Sequence, residues 1–451
     1  MGSVVVGLGK TGASCLRYLA ARGVPVSATD TRSAPPGLAA LGDLAARLDI
    51  RLGGFDLSLL DGASQVLMSP GVSLDEPIAK QARARGIEVV GDIELFARAA
   101  HAPVIGITGT NGKSTVTRLL AHMAETAGRR VLAGGNLGEP ALDLLGYPVP
   151  DLYVLELSSF QLETTVSLEL LAAVVLNVTA DHLDRYASVA DYARAKQRIY
   201  ARAATVVLNA DDRLVAAMRR PDRPTLTFSI LRGDTDYCLI EDGLTEDGGA
   251  VYLARRGERL LDIARLKIGG RHNAANALAA LALGEAAGLP TRAMLAALES
   301  FAGLPHRCAW VADIDGVRYL DDSKGTNVGA TVAAIAGIPQ PLVLIAGGEG
   351  KGQDFAPLAD AFRGKVRHAV LIGKDAAALE RALRGVCSVE RAASMPAAVL
   401  AAAKSARAGD TVLLSPACAS LDMFRDYAER GEAFGMAVRN LSAAAARETR
   451  A

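Results

Sequence analysis

The sequence predicts an α/β protein of three domains. Short β-branched runs alternate with Ala/Leu-rich amphipathic stretches along the whole chain, the pattern of parallel sheets covered by helices. Its 451 residues are about three times the ~150 that a compact domain uses. Glycine-rich loops follow strands at 7–12, 106–115 and 347–352. Together these predict a Rossmann-like N-terminal domain over 1–92, a P-loop-type central ATPase domain over 93–303 and a Rossmann-like C-terminal domain over 304–451.

The first domain opens with a strand at 3–6, a helix over about 13–22 and a strand at 24–29, followed by strands at 65–68 and 87–90. Composition changes little at Gly91-Asp92, but the strand at 104–108 starts a new phosphate-loop unit, which sets the first boundary near 92. The second domain continues with an amphipathic stretch at 116–124 and strands at 152–157, 172–177 and 205–209. A long Ala/Leu helix follows His272, and another ends near Ser300. Gly303-Leu304-Pro305 stops that helical run. Runs at 309–314 and 317–320 flank Asp315-Gly316 and read as a hairpin with a tight turn. Strands at 342–346, 368–372 and 412–414 complete the third domain, and the Ala-rich tail at 442–451 reads as a frayed helix end.

Half the residues are hydrophobic and 22% are charged, with Lys plus Arg and Asp plus Glu at 49 each and no formal net charge. That balance excludes a disordered regulator and argues against a bulk nucleic-acid binder or a polybasic membrane-surface protein. Phosphate recognition has to be local. Cys15, Cys238, Cys308, Cys387 and Cys418 are odd in number and form no CxxC pair, so buried thiols in a reducing compartment fit better than a disulfide framework or zinc knuckle. No signal peptide follows Met1, and no apolar run approaches the ~20 residues of a membrane span. A cytoplasmic protein without membrane insertion is expected.

The strongest motif is Gly106-Ile107-Thr108-Gly109-Thr110-Asn111-Gly112-Lys113-Ser114-Thr115, fed by a strand and left by an amphipathic stretch. Its glycines let backbone N–H groups face a triphosphate, Lys113 meets the β/γ oxygens, and the Ser114 hydroxyl can ligate Mg²⁺ at the helix N-terminus. Gly7-Leu8-Gly9-Lys10-Thr11-Gly12, with Asp30 lying 18 residues beyond Gly12, fits a dinucleotide fingerprint. Beside a phosphate loop, NAD would need a second nucleotide chemistry. A nucleotide-diphosphate handle on the substrate fits at least as well, and a bare strand-turn-helix connection is the plain alternative.

Glu156 ends a strand, where a parallel sheet places its ligands. His182 lies in Asn177-Val178-Thr179-Ala180-Asp181-His182-Leu183-Asp184-Arg185-Tyr186; since Mg²⁺ prefers oxygen, spacing alone favours a structural histidine. Lys196, on a predicted helix, reads alone as a solvated lysine. Asn273 and Asn276 lie three apart at a helix start, so one caps it and both can face one site. Loops at 321–327, 347–352 and 415–422 also follow strands. Lys351 and Ser420 could hold a small carboxylate, although each alone is more often a surface turn residue. Such loops across three domains suggest a composite cleft.

As a set, GLGKTG at 7–12, GITGTNGKST at 106–115, GGNLG at 134–138, ELSSFQLE at 156–163 and NVTADHLDRY at 177–186 resemble the Mur ligase family. HNAANALAA at 272–280, LPHR at 304–307, DDSKGTN at 321–327, GGEGKG at 347–352 and SPACASLDMF at 415–424 extend the resemblance over essentially the whole chain. It implies an ATP-dependent carboxylate-amine ligase of cytoplasmic peptidoglycan precursor synthesis. The three domains would bind, in order, a UDP-linked substrate, ATP with the chemistry, and the incoming amino acid. UDP-N-acetylmuramoyl-L-alanine, D-glutamate and ATP are the implied substrates, Mg²⁺ at two sites the implied metal, an acyl phosphate the implied intermediate and a monomer the implied state. The related ligase using L-glutamate stays open, because no single residue settles the hand of the amino acid.

By the same resemblance, Lys10, Thr11, Asp30, Thr31, Arg32 and Gly71 meet the UDP group, while Asn136, Ser158 and His182 meet the rest of that substrate. Gly109, Asn111, Gly112, Lys113, Ser114 and Thr115 take the ATP phosphates; Asn273, Asn276, Arg307, Asp322 and Lys324 frame the remainder of ATP. Thr326, Lys351, Ser420, Leu421 (through its backbone) and Tyr427 form the glutamate end. Lys113, Glu156, His182 and Lys196 become catalytic, and Ser114, Glu156, His182 and Lys196 metal-binding. Lys196 matches a family lysine that reacts with CO₂ to give a carbamate, an oxygen ligand for the second Mg²⁺. Resemblance alone overturns the bland readings of His182 and Lys196. Departures are few: Tyr427 stands where Phe is common, Ala180 where an acid is common, and Gly325 and Glu349 also differ.

Three rival readings remain open. A folylpolyglutamate-type ligase would not need the GLGKTG opening domain. An NAD-linked oxidoreductase would rest on the first glycine loop alone, and an ATP-driven switch would have no use for an amino acid.

Overall fold

The computed structural model describes residues 2–136, 138–243, 249–338 and 340–448, with side chains through 441. Three sheets organise it. The first contains β1 (Gly2–Val6), β2 (Val26–Asp30), β3 (Asp49–Leu52), β4 (Ala63–Met68) and β5 (Glu88–Val90), all parallel, in the order β3-β2-β1-β4-β5. Strand order reverses between β1 and β4, so the loops that follow them open the crevice where such sheets bind ligands. Those two loops are joined by the Ser69 hydroxyl, which donates to the Gly7 carbonyl at 2.6 Å. Gly7 has φ +91°, and a Cβ there would stand 2.7 Å from Val72.

The second sheet runs through β6 (Val104–Thr108), β7 (Val131–Gly135), β8 (Leu152–Glu156), β9 (Leu170–Val175), β10 (Ala203–Asn209), β11 (Thr225–Phe228), β12 (Tyr237–Glu241), β13 (Val251–Arg255) and β14 (Glu258–Asp262). Its order is β14-β13-β12-β11-β10-β9-β6-β8-β7, parallel except for the β12-β13-β14 meander. The third has β15 (Ala309–Ile314), β16 (Val317–Asp321), β17 (Leu342–Gly347), β18 (Val366–Ile372), β19 (Ser388–Arg391) and β20 (Thr411–Leu414), in the order β15-β16-β20-β17-β18-β19. Only β15 and β16 pair antiparallel there.

Central strands are apolar on both faces because helices cover both. In β17, Leu342 and Leu344 join one core layer with Leu358 and Phe362, whereas Val343 and Ile345 join the opposite layer with Phe434 and Val438. Contacts group the chain into two compact units. One comprises the residues up to Val178 with Ala190–Ile263 and Asn276–Glu299; the other comprises Thr179–Val189, Ala264–Ala275 and the residues from Ser300 onward.

Most predicted elements are present, with shifted ends. The strand expected from 24 starts at Val26, because Pro25 has no N–H and its carbonyl accepts from Ser3. The helix expected at 116–124 is Lys113–Thr126, since Gly112 is its N-cap. Asp315 (φ +50°) and Gly316 (φ +75°) both adopt left-handed conformations, making the β15-β16 turn the predicted tight hairpin. The tail is helical through Glu448, and 449–451 lie outside the described residues. The sequence reading did not include β3, β7, β11 to β14 or β19.

Candidate active site

The P-loop leaves β6 at the middle of the second sheet. Gly109 (φ +148°) and Gly112 (φ +85°) shape it, and a Cβ on Gly112 would meet Asn276 Oδ1 at 2.4 Å. Asn276 thus touches the loop, while Asn177 fixes it. The Thr110 N–H donates to the Asn177 carbonyl at 2.9 Å, the Asn111 N–H donates to Asn177 Oδ1 at 2.8 Å, and Asn177 Nδ2 returns a bond to the Asn111 carbonyl at 3.0 Å. The sequence motif that Asn177 opens does not by itself assign it this role. Ser114 and Thr115 are buried in the first turn of the helix.

Lys113 curls back over the loop, its Nζ donating to the Gly109 and Thr110 carbonyls at 2.9 Å each. Lys196 is only 1% exposed, so the solvated reading fails. Its Nζ also donates to the Gly109 carbonyl, at 2.9 Å, and sits 4.3 Å from the centre of the Tyr192 ring. Two ammonium groups therefore converge on one carbonyl oxygen. Their loop carbonyls occupy donors that a nucleotide's phosphates would take over.

Next to the P-loop strand, β8 delivers Glu156, paired in register with Ile107. Glu156 is 3% exposed; its Oε1 accepts from Asn136 Nδ2 at 2.7 Å, and its buried Oε2 has no hydrogen-bond partner. A buried carboxylate oxygen left open beside a phosphate loop fits a hard cation such as Mg²⁺, and the Ser114 hydroxyl is an oxygen donor of the same kind. The Asn136 N–H also donates to the Glu156 carbonyl at 2.8 Å, so the GGNLG loop is folded against this carboxylate. Ser158 is occupied locally: its hydroxyl accepts from the Gln161 N–H and caps the helix Ser159–Glu163.

On the first sheet, Asp30 lies beneath the glycine loop. It accepts from the Leu8 N–H at 2.6 Å and from the Arg32 N–H, Nε and Nη2 at 2.8, 2.9 and 2.7 Å. Burial raises its pKa, but the Arg32 side chain and the two backbone donors outweigh this and leave it at about 2. Thr31 follows Asp30 into the exposed turn, and Thr11 sits half-buried at the start of the helix Lys10–Ala21. Lys10 Nζ donates to the Gly138 carbonyl, which brings the first glycine loop and the GGNLG loop together. Arg17 and Ser14 both hold Asp143, at 2.7 Å each. Gly71 lies beyond β4 with open space at its Cβ position.

In the second unit, the loops after β16, β17 and β20 converge. An antiparallel bridge ties Glu349 to Ala419, setting the loop of Lys351 beside that of Ser420. Ser420 is buried, while Leu421 is exposed. Tyr427 opens the helix Tyr427–Glu448; its carbonyl accepts from the Ser323 hydroxyl at 2.7 Å, and Lys324 Nζ stands 3.8 Å from its ring centre. Thr326 follows Lys324, donating its N–H to the Lys324 carbonyl at 2.8 Å. Asp322 is buried, accepting from the Ser415 hydroxyl at 2.7 Å; burial pushes its pKa up to about 7 against the pull of that hydroxyl and of Arg307. Asn273 Nδ2 donates to the Gly269 carbonyl at 2.8 Å. His182 adopts φ +55°, and Lys351 adopts φ +54°.

Two residues here escaped the sequence reading. Arg430 is 1% exposed and donates to Ser323 Oγ (3.0 Å), the Ser323 carbonyl (2.8 Å) and the Cys418 carbonyl (3.1 Å), joining two of the strand-end loops. Asp181 pairs with Lys351 at 2.6 Å. Neither partner is near in sequence, so no local spacing could have announced them.

A phosphate loop, convergent lysines and an open strand-end carboxylate define a nucleotide-dependent phosphoryl-transfer site. Residues 2–91 match the family described as Mur ligase MurD-like, N-terminal domain; residues 107–284 match Mur ligase middle domain; residues 306–418 match Mur ligase, glutamate ligase domain. The UDP-N-acetylmuramoylalanine–D-glutamate ligase of Nitrosococcus oceani is 57% identical over 441 residues, 97% of this chain and 96% of that one. The enzyme of the same name from Pseudomonas savastanoi pv. phaseolicola is 51% identical over 443 residues, 97% and 98% of the two chains. Among solved structures, UDP-N-acetylmuramate-alanine ligase MurC from Thermotoga maritima shares the fold, with TM-score 0.63 at 20% identity over 98% of this chain and 99% of that one. The chain belongs to the Mur ligase family of ATP-dependent amide-bond ligases. No helix among the described residues is long and apolar enough to cross a membrane.

Proposed function

We propose that the chain joins D-glutamate to UDP-N-acetylmuramoyl-L-alanine at the expense of ATP, as a cytoplasmic monomer with domain boundaries near 92 and 303. One observation carries the reading: the P-loop, held by Lys196, and the open oxygen of Glu156 follow adjacent strands in a chain 57% identical to a D-glutamate ligase over nearly its full length.

A carboxylate is a poor acyl donor, so the chemistry needs a leaving group. The terminal L-alanine carboxylate oxygen attacks the γ-phosphorus of ATP, the bond to ADP breaks, and an acyl phosphate forms. The glutamate amine then attacks the acyl carbon, phosphate departs with the C–O bond electrons, and the surplus ammonium proton passes to water. In this scheme Lys113 leaves its loop carbonyls for the β/γ oxygens. Ser114, Glu156, His182 and a carbamylated Lys196 would hold two Mg²⁺ ions, which supply positive charge where phosphate oxygens crowd. Carbamylation is favoured at Lys196 because its cation otherwise faces that of Lys113 across one carbonyl. Asp30 keeps the glycine loop in shape for a diphosphate, with Lys10, Thr11, Thr31, Arg32 and Gly71 along its rim; Thr326, Lys351, Ser420 and Tyr427 form the glutamate end.

The test is phosphate release from ATP and Mg²⁺ with UDP-N-acetylmuramoyl-L-alanine and D-glutamate, L-glutamate or no amino acid. Release that requires both the UDP substrate and D-glutamate is expected. Release with L-glutamate alone would reassign the amino acid, and release that ignores amino acids would remove the ligase reading.

A further inference from the structure

Lys351, assigned above to the amino acid's carboxylate, already holds one. Its Nζ lies 2.6 Å from Asp181 Oδ1, and both side chains are largely buried, at 18% and 8% exposure. The same carboxylate accepts from the His182 N–H on Oδ1 at 2.9 Å and from Asn327 Nδ2 on Oδ2 at 3.3 Å. Lysine, amide and backbone N–H around two carboxylate oxygens make up a carboxylate-recognition set. Here the chain fills it with its own side chain.

The set is built rather than accidental. Asn327 is 3% exposed, and its Oδ1 caps the helix Val328–Gly337 by accepting from the Ala330 N–H at 2.8 Å. Gln353 then couples that helix to the lysine loop: its Oε1 accepts from the Val328 N–H at 3.0 Å and its Nε2 donates to the Gly350 carbonyl at 2.9 Å. Lys351 and Asn327 are therefore held in fixed relation whether or not Asp181 lies between them. The lysine itself adopts φ +54°, a left-handed conformation uncommon for a side chain of this size.

We propose that Asp181 is an internal surrogate for the substrate's carboxylate: it holds Lys351 while the amino-acid pocket is empty, and the incoming glutamate binds by displacing it. The inference rests on the proposed assignment of Lys351 to glutamate. Displacement makes Asp181 a specificity-setting residue, because only a ligand with a carboxylate placed for Lys351 can replace the ion pair, and every such event carries the cost of breaking it. Removing the surrogate's charge should then tighten glutamate binding, whereas removing a residue that merely oriented the lysine should weaken it.

The experiment compares wild type, Asp181→Asn and Lys351→Ala. Steady-state phosphate release yields KM for D-glutamate, for the UDP substrate and for ATP. Calorimetric titration of D-glutamate into enzyme loaded with UDP-N-acetylmuramoyl-L-alanine and a non-hydrolysable ATP analogue gives affinity without turnover, which keeps the test valid if Asp181→Asn slows the chemistry. The expected result is a D-glutamate affinity at least threefold tighter in Asp181→Asn and at least tenfold weaker in Lys351→Ala. Weaker or unchanged D-glutamate binding in Asp181→Asn, alongside the expected loss in Lys351→Ala, would overturn the surrogate alone. Unchanged binding in Lys351→Ala would instead remove the assignment on which it stands.

Discussion

Asp92 is the first residue of the helix Asp92–Ala99, and its carboxyl is almost completely buried. Oδ2 accepts from Gln161 Nε2 at 3.0 Å, while buried Oδ1 has no hydrogen-bond partner. Burial pushes its pKa up from 3.8 to about 6, against the opposing pull of Gln161 and of the backbone N–H groups at the helix start. Because the folded-state value is raised, the folded chain keeps this proton at pH values where the unfolded chain has lost it. Its stabilising contribution is complete below about pH 4, declines as pH rises from about 4 to 6 and is gone above. At 1.36 kcal/mol per unit, the full swing is about 3 kcal/mol, of which about 1.4 kcal/mol falls between pH 5 and pH 8. Asp92→Asn removes the titration and keeps an oxygen for Gln161, at the cost of about 1 kcal/mol for an amide N–H without a partner. Relative to wild type, the variant should therefore gain about 1.4 kcal/mol on going from pH 5 to pH 8. Urea unfolding followed by circular dichroism at the two pH values measures this directly. A difference between variant and wild type that stays constant with pH would refute the reasoning.

Three further outcomes are expected. Gly112→Ala places a Cβ 2.4 Å from Asn276 Oδ1 at φ +85°, so ATP affinity measured by calorimetry should fall at least tenfold with the fold intact; unaltered affinity would detach the loop from the nucleotide. Arg430→Met leaves the Ser323 and Cys418 carbonyls without their donor, which should cost about 2 to 4 kcal/mol in urea unfolding once relief from burying the cation is counted, and Arg430→Lys should recover only part. A neutral Arg430→Met would show that the loops hold themselves. Lys196→Ala should abolish phosphate release, and added short carboxylates should restore a measurable part; full activity in the untreated variant would eliminate the carbamate.

What the sequence disclosed follows the range of the forces involved. β6 reads as a strand because all five of its residues are buried and apolar or small. The P-loop is legible because its glycines, lysine and hydroxyls act within ten consecutive residues. The edge strands β3 and β19 were missed because they carry few apolar residues: β3 is Asp-Ile-Arg-Leu and β19 is Ser-Val-Glu-Arg, each buried on at most part of one face. The β11 to β14 extension lacks the strand-helix alternation that organised the reading. Lys196 could not be told from a surface lysine because its burial is decided by Gly109, 87 residues away. Arg430 depends on Ser323, 107 residues away, and Lys351 on Asp181, 170 residues away. Each of these is a polar side chain whose role is fixed by strand order, which hydrophobic periodicity does not encode.

The position of Lys196 also bears on why a lysine should be placed there. Two ammonium groups each 2.9 Å from the Gly109 carbonyl oxygen lie no more than 5.8 Å apart, where at an effective dielectric of about 20 they repel by about 3 kcal/mol. Burial at 1% exposure adds a desolvation cost to the Lys196 cation, which the Tyr192 ring and the Gly109 carbonyl help to offset. The neutral amine is the form that adds CO₂. Under the proposed scheme, conversion to a carbamate would replace the repulsion with an attraction to Lys113 and add an oxygen donor at the phosphate loop, beside whose strand Glu156 offers another. A glutamate at this position would have brought the negative charge directly. It would also have pressed an anion against the Gly109 carbonyl whenever metal and nucleotide were absent, whereas lysine donates a hydrogen bond to that same oxygen. Under the proposed scheme, the residue that donates to the loop carbonyl is thus also the one whose charge would be inverted when the loop is filled.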